Sequence, residues 1–388
     1  MQIGMIGLGR MGANLARRLL QDGHVVLGYD REAAAVAALA RGGALASSSI
    51  DDLVKRLSPP RTVWVMLPAG AATESAITEL GALLEPGDAV IDGGNTFWRD
   101  DLRRAKELKA RGIHHLDVGT SGGLLGRERG YCLMIGGEAA AVERLAPIFA
   151  ALSPGGGVAP PTASQGWLHV GPNGAGHFVK MVHNGIEYAL MQAFAEGFQI
   201  LQETDSAALP AEERFSLDIA GIAELWRHGS IVSSLLLDVI AEALHDDARL
   251  ADLSGVVGDT GEGRWTIETA IERGIPAMAL ATALNARFRS RRQPNFADKL
   301  ISAMRRGFGG HAEAKGKGEW PEARASLRFR TSPSCSWACP VPARAPLARG
   351  SPNACGANFS KATGFIRPPT SKRCGGGRRS TTRTGCLG

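Results

Sequence analysis

The chain predicts an open α/β domain, a parallel sheet with helices on both faces, followed by an all-helical domain. Three observations carry this. Short apolar, strand-like runs alternate with helical runs over residues 1–153, the pattern of a parallel sheet with crossover helices. A glycine-rich turn follows the first run directly. From 176 to about 309 the apolar periods are long and helical, with few strand signals. The strand candidates are 3–6, 25–29, 63–67, 89–91, 115–118 and 132–135. Helical runs between them include 14–21, 32–40, 73–84 and 100–111. The Gly/Pro-rich stretch 154–161 reads as a boundary loop. Helices are then expected over 180–202, 219–225, 231–245 and 296–308. The domains are therefore expected at 1–160 and 161–315, with a tail over 316–388.

The net charge of +6 misleads. From 316 onward 13 Lys+Arg face 2 Asp+Glu, a balance of +11; the rest, with 31 basic and 36 acidic residues, carries −5. The sequence pI of 9.1 therefore describes the tail and not the body. Cysteine divides the same way. Cys132 stands alone in the body, and Cys335, Cys339, Cys355, Cys374 and Cys386 fall in the tail. One thiol in the body fits a reducing compartment without a disulfide framework. Cys335 and Cys339 have no second ligand pair at zinc spacing. After Lys315 come eight prolines, ten glycines and almost no apolar periodicity. Such a composition buries too little surface to offset chain entropy, so disorder is expected there. A basic tail can bind nucleic acid, but this one lacks any stacking-aromatic pattern. It is better read as a segment appended to a complete enzyme. No apolar run reaches eighteen residues, and the chain opens on a strand rather than a signal peptide. A cytoplasmic protein is expected.

The stretch His177-Phe178-Val179-Lys180-Met181-Val182-His183-Asn184-Gly185-Ile186-Glu187-Tyr188 is the most informative. On a helix, Lys180, His183, Asn184, Glu187 and Tyr188 share one face. Apolar residues occupy the others. This inverts the surface-helix pattern of one apolar stripe and a wide polar face. Such a helix should be buried, its polar stripe lining something polar. Lys180 offers a base and Glu187 an acid, two turns apart. A lysine and a glutamate at this spacing are usually surface residues, but the apolar flanks argue against that here.

Gly7-Leu8-Gly9-Arg10-Met11-Gly12 matches G-x-G-x-x-G. It follows an apolar strand, opens a helix, and precedes Asp30 at the end of the second strand, the context a dinucleotide site requires. Gly7 permits the tight turn, Gly9 a close approach of backbone to pyrophosphate, and Gly12 the packing of helix on strand. The fold class is thus an α/β Rossmann-type dinucleotide-binding domain followed by an all-α helical domain. Asp30 would accept hydrogen bonds from the adenosine ribose and repel a 2′-phosphate, favouring NAD over NADP; the adjacent Arg31 softens that preference. Leu67, Pro68 and Ala69, at the end of the third strand, and Asn95, at the end of the next, are counted with the cofactor contacts. Ligands sit at such carboxyl ends in open α/β sheets.

Gly7–Gly12, Asp92-Gly93-Gly94-Asn95, Gly119-Thr120-Ser121-Gly122-Gly123 and the His177–Tyr188 helix appear in the order found in decarboxylating 6-phosphogluconate dehydrogenases. The chain closely resembles that family, in its shorter form with a single helical domain. The resemblance covers about four fifths of the chain and leaves the tail without a counterpart. It implies oxidative decarboxylation of 6-phosphogluconate to ribulose 5-phosphate and carbon dioxide, in the pentose phosphate pathway, with reduction of NAD (NADP possible) and without a metal. It implies Lys180 as general base and Glu187 as general acid. Asn95, Ser121, Gly122, Gly123, His183, Asn184 and Tyr188 would contact substrate. Arg264 stands where longer members have a phosphate-contacting lysine, and Arg287 matches a phosphate-binding arginine. Arg305 and His311 match a segment that in the family reaches the neighbouring subunit, so a homodimer or tetramer with a shared pocket is expected. Asp30 departs from the Asn-Arg-Thr of NADP-specific members.

The chemistry asks for a neutral Lys180 to take the C3 hydroxyl proton, and burial lowers a lysine pKa. The resulting β-keto acid carries its own electron sink, which a metal-free site suits. Glu187, desolvated and so protonated, would deliver a proton to C1. Two rival readings remain: a dehydrogenase of another small β-hydroxy acid, and a non-catalytic protein binding nucleic acid through its tail. Ending the chain after Lys315 is expected to leave turnover intact, as steady-state kinetics of full-length and shortened protein will read; a large loss refutes the appended-tail reading.

Overall fold

The structure, a computed structural model, describes residues 1–155 and 157–313. The expectations for the tail and for Cys335 and Cys339 lie outside the described residues. Among the described residues eight strands form one sheet: β1 (Gln2–Ile6), β2 (Val25–Tyr29), β3 (Leu45–Ala46), β4 (Thr62–Val65), β5 (Ala89–Asp92), β6 (His114–Ser121), β7 (Cys132–Gly137) and β8 (Trp167–Gly171). Their spatial order is β3-β2-β1-β4-β5-β6-β7-β8. The crevice between β1 and β4, where the order reverses, is where such sheets bind ligands. Two points correct the sequence expectation. The sheet is mixed, because β7 runs antiparallel to β6. It also continues past the 154–161 loop, because β8 pairs with β7 in parallel.

Strand alternation builds two cores, one on each face. Ile3, Met5 and Trp64 point to one face, with Leu15, Leu19 and Phe149 from the covering helices. Ile6, Val63 and Val65 point to the other, with Leu53 and Leu80. The helices of this part are α1 (Arg10–Gln21), α2 (Ala33–Ala40), α3 (Ile50–Arg56), α4 (Ala71–Leu83), α5 (Trp98–Lys109), α6 (Gly126–Arg129) and α7 (Ala139–Leu152).

The helical part begins with α8 (Ala175–Gln202), 28 residues long. It continues through α9 (Ile219–Arg227), α10 (Leu235–Asp246), α11 (Glu262–Glu272), α12 (Met278–Ser290) and α13 (Phe296–Gly309). Met191, Ala195 and Phe198 of α8 share a core with Leu237, Ile240, Leu300, Ile301 and Met304. Asn295 and Asp298 close a capping box at the start of α13. Among the described residues no helix is long and apolar enough to cross a membrane.

The first turn of α8 docks on the sheet, backbone to backbone. Asp117 of β6 accepts N–H bonds from Gly174 (2.7 Å) and His177 (3.0 Å), capping the helix from another element. The carboxylate also meets the positive end of the helix dipole. A Cβ on Gly176 would run into the carbonyls of Asp117 and Met134, and one on Gly119 would run into Lys180 Cβ. Beneath this turn lies a buried charge cluster that sequence spacing had concealed. His177 Nδ1 meets Asp101 Oδ2 at 2.7 Å, and Arg104 meets Asp92 at 3.1 Å. Burial alone would lower His177, but Asp101, with Asp92 and Asp117, holds it up at about 9. Asp92, Asp101 and His177 stand close enough to surround a cation. However, Asp92 faces Arg104 and Asp101 faces His177, so protein cations already fill the cluster.

Removing one partner of a buried pair leaves the other charge uncompensated, at a cost of roughly 3–5 kcal/mol. Asp101→Asn should lower the unfolding free energy on that scale in urea titrations; a change within about 0.5 kcal/mol, the range of ordinary surface substitutions, refutes the pair's structural role.

Candidate active site

The polar stripe of α8 forms one wall of a cleft. Lys180 is only 7% exposed, and Asn184 and Tyr188 are buried with it. The opposite side departs from expectation: Val179, Ile186 and Leu190 are 38%, 50% and 50% exposed. The helix is therefore buried on its polar stripe and bare on part of its apolar surface. The two titratable groups shift in opposite directions. Burial pushes the Lys180 ammonium down, against the charges of Glu187, Glu262 and Cys132. Burial pushes the Glu187 carboxyl up, against Lys180, Arg287 and Arg305. Both shifts favour a neutral amine and a protonated acid, a base and an acid in their working forms.

Opposite α8, β6 delivers the Ser121–Gly123 turn. Ser121 Oγ lies 3.2 Å from His183 Nε2, and His183 Nδ1 lies 3.0 Å from Asn184 Oδ1. Gly122 and Gly123 have φ of +128° and +55°, a path that favours glycine. A Cβ on Gly123 would strike the Phe308 carbonyl, so this turn is tucked under the end of α13.

The arginines divide. Arg287 is buried, its guanidinium 3.2 Å above the Tyr188 ring and one Nη donating to the Gly258 carbonyl at 3.1 Å. Its other Nη is buried without a partner. Burial pushes it down to about 10. Arg305 is also buried, and Tyr188, Glu262, Asp259 and Glu187 partly offset the burial that lowers it. Arg264, expected as a phosphate contact, is held within the chain. Asp259 engages it in a bidentate pair at 2.8 and 3.0 Å, and it lies over Phe288. Its fork is already matched to a carboxylate, the geometry such a pair prefers.

Within a single chain, Arg305 and His311 both lie at the cleft beside Tyr188 and Arg287, whereas the expected sharing with a neighbouring subunit concerns contacts between chains. The α13 helix packs along α8 through Leu300, Ile301 and Met304, which carries Arg305 to Tyr188. His311 is pushed down to about 4 by burial and by Arg305, Arg10 and Arg287, so it is neutral there. Arg10 of the glycine loop donates to the Gly310 carbonyl, tying the C-terminal segment to the first turn of α1.

The dinucleotide elements assemble at the crevice. Gly7 has φ +90°, and a Cβ on Gly12 would meet the Gly7 carbonyl. A Cβ on Gly9 would meet nothing within 4 Å, which leaves the open cradle a pyrophosphate needs at the head of α1. Asp30 accepts from Leu8 N at 2.6 Å and Glu32 N at 2.9 Å, which holds its carboxylate at the end of β2 beside the exposed Arg31. Leu67, Pro68 and Ala69 follow β4, and Thr73 donates to the Pro68 carbonyl at 2.9 Å. Asp92 shapes the next loop by accepting from Gly94 N and Thr96 Oγ1, leaving Asn95 exposed at the crevice. Leu8, Arg10 and Met11 fall in the turn and first residues of α1.

Sequence reasoning missed Glu262. It is 2% exposed, accepts from Asn184 Nδ2 at 3.0 Å and Thr260 Oγ1 at 2.6 Å, and acts on Lys180 and Tyr188 by charge. Its one signal was an acid between two glycines in the stretch that carries Arg264.

Comparison with known proteins agrees with this geometry. Residues 2–159 match the NAD binding domain of 6-phosphogluconate dehydrogenase, and 176–210 and 206–317 match its C-terminal domain. The chain is 40% identical over 316 residues to a Haloferax volcanii protein named as an NAD(+)-dependent, decarboxylating 6-phosphogluconate dehydrogenase, covering 81% of this chain and 99% of that one. A Bacillus subtilis protein of the same name is 39% identical, over 74% of this chain and 61% of its own greater length. The solved Plasmodium falciparum 6-phosphogluconate dehydrogenase superposes with a TM-score of 0.63 at 29% identity, over 75% of this chain and 62% of that one. The chain thus spans less than two thirds of the longer relatives but nearly all of the Haloferax protein. Both domains match in order, and the chain belongs to the 6-phosphogluconate dehydrogenase family.

Proposed function

We propose that this protein oxidatively decarboxylates 6-phosphogluconate to ribulose 5-phosphate and carbon dioxide, with NAD as the preferred cofactor. The observation that carries the reading is the pair of buried Lys180 and partly buried Glu187, shifted toward neutral amine and protonated acid on one stripe of α8. The glycine cradle, the head of α1 and Asp30 suit a dinucleotide with a free 2′-hydroxyl. When bound, NAD supplies the hydride acceptor.

Lys180 Nζ takes the proton of the substrate's C3 hydroxyl as C3 is oxidised. As an ammonium it then faces the new C3 carbonyl oxygen and stabilises the negative charge that builds there as carbon dioxide leaves. Lys180 gives that proton to the C3 oxygen, which completes the enediol and restores the amine. Glu187 then gives its proton to the carbon that lost carbon dioxide, C1 of the product, as Lys180 takes back the proton on the C3 oxygen. Passage of that proton from Lys180 to Glu187 returns both groups to their starting forms. The backbone of Gly122 and Gly123 holds the substrate carboxylate beside Ser121. Asn184 and Asn95 position the hydroxyls, and His183 acts there through Ser121. Arg287, with a buried unpaired Nη, and Arg305 bind the phosphate at the Tyr188 end, joined by His311. Arg264 supports that end through Asp259, which also accepts from Arg291. The single body cysteine fits work in a reducing cytoplasm.

The exposed Val179, Ile186 and Leu190 side of α8, with Ile200 at 68%, supports self-association of this chain through that surface. Contiguous apolar patches on soluble proteins mark contacts of this kind. Light scattering should read more than one chain per particle, and Leu190→Asp should reduce the assembly; a monomeric native protein sinks this reading.

The activity is checked by following NADH and carbon dioxide together with 6-phosphogluconate. Equal release of both is expected, with a higher kcat/KM for NAD than for NADP. Lys180→Met should lower kcat by about 10³-fold, within the range of a lost general base, with NAD binding kept. In the native enzyme the rate should rise with pH on a limb below the ordinary lysine range, and fall on a limb above the ordinary carboxylate range. Near-normal turnover of Lys180→Met, or a greater rate with another β-hydroxy acid, overturns the assignment.

A further inference from the structure

Five side chains from three parts of the fold form one hydrogen-bonded series across the cleft. Thr260 Oγ1 lies 2.6 Å from Glu262 Oε2. Asn184 Nδ2 lies 3.0 Å from Glu262 Oε1. Asn184 Oδ1 lies 3.0 Å from His183 Nδ1, and His183 Nε2 lies 3.2 Å from Ser121 Oγ. The direction of each bond follows from Glu262. A carboxylate only accepts, so the face of Asn184 turned toward it must be the NH₂. The other face of the amide is then the carbonyl oxygen, which also only accepts. His183 must therefore carry its proton on Nδ1, and Nε2 presents a lone pair to Ser121. The serine hydroxyl donates to Nε2, which leaves its own lone pairs for the cleft.

We propose that Glu262 is a positioning residue that sets the proton order of the Glu262–Asn184–His183–Ser121 series and so presents Ser121 Oγ to the substrate as a hydrogen-bond acceptor. The inference rests on the functional reading above for its substrate, but the proton order does not. An acceptor at Ser121 recognises a substrate hydroxyl, whereas the carboxylate beside it is left to the backbone N–H groups of the Gly122–Gly123 turn. The site then distinguishes a 2-hydroxy from a 2-deoxy acid at this serine. Burial of Glu262 and of Asn184 makes the order strict, since no solvent competes for either face of the amide. Orphaning a buried polar group is costly, so an Asn184 turned the wrong way against the carboxylate is excluded.

The test uses the full-length protein without substrate, with histidine labelled by nitrogen-15. The signal of His183 is identified by its loss in His183→Asn. Nitrogen NMR should show a neutral ring with the proton on Nδ1. In Glu262→Met the acceptor is gone, and the ring should shift toward the Nε2–H form, with KM for 6-phosphogluconate raised about tenfold, the scale of one hydrogen bond to a charged group. Glu262→Gln removes the charge but keeps an oxygen opposite Asn184, so it should restore much of the KM lost in Glu262→Met. A native His183 protonated on Nε2 overturns the proposal even if neither variant folds. So does a Glu262→Met protein with unchanged tautomer and unchanged KM. If the native protein shows the Nδ1–H ring but does not turn over 6-phosphogluconate, the proton order stands and the functional reading fails.

Discussion

Asp117 and three glycines seat α8 on the sheet, and the site depends on that seat. The Asp117 carboxylate receives the N–H groups of Gly174 and His177, where an isolated helix would leave its first donors to water. Gly119 and Gly176, with Gly136 beside them, let the backbones of β6, β7 and α8 touch without side chains between them. Lys180, one turn further along, is thereby pressed against β6 and removed from solvent. Its lowered pKa and the raised pKa of Glu187 both have burial as their largest cause. A helix standing a side chain's width farther off would admit water and return both groups toward their ordinary pKa ranges.

The same seat explains the charges below and above it. Below, Asp101 pairs with His177 and Asp92 with Arg104 in a buried layer, which anchors the start of α8 to α5. Above, the end of α13 closes over the Ser121–Gly123 turn and reaches Arg10. The glycine loop of one part and the last helix of the other are joined by a single arginine. Cofactor and substrate elements therefore meet in a cleft whose two sides are tied together at the rim. Within that cleft Arg287 and Tyr188 stack face to cation, which holds a guanidinium in place while one of its nitrogens stays unpaired.

Much of this was legible from local pattern. The strands at 25–29 and 132–135 and the helices opening at 219 and 296 announce themselves through apolar period, and they appear close to those bounds. The edges of the sheet did not. Leu45–Ala46 is two residues long and exposed, with no alternation to read. Trp167–Gly171 is half exposed and follows a proline-rich loop that suggests an ending. The direction of β7 depends on a short connection through α6, which hydropathy does not report. Glu262 was missed because its importance comes from Asn184, 78 residues away. The pairing of Arg264 with Asp259, five residues before it, went unread because spacing alone does not show which way the two side chains turn.

The sequence by itself determined the fold class, the dinucleotide turn and the face shared by Lys180, His183, Asn184, Glu187 and Tyr188, because each rests on spacing within one element. Only the tertiary structure decided what those residues are. It buried the polar stripe and bared Ile186 and Leu190, paired Arg264 while leaving Arg287 a free nitrogen, and brought Glu262 to Asn184. Protonation states and hydrogen-bond directions depend on which groups face each other and on how much water lies between them. Those are properties of distance in space, which periodicity along a chain does not contain.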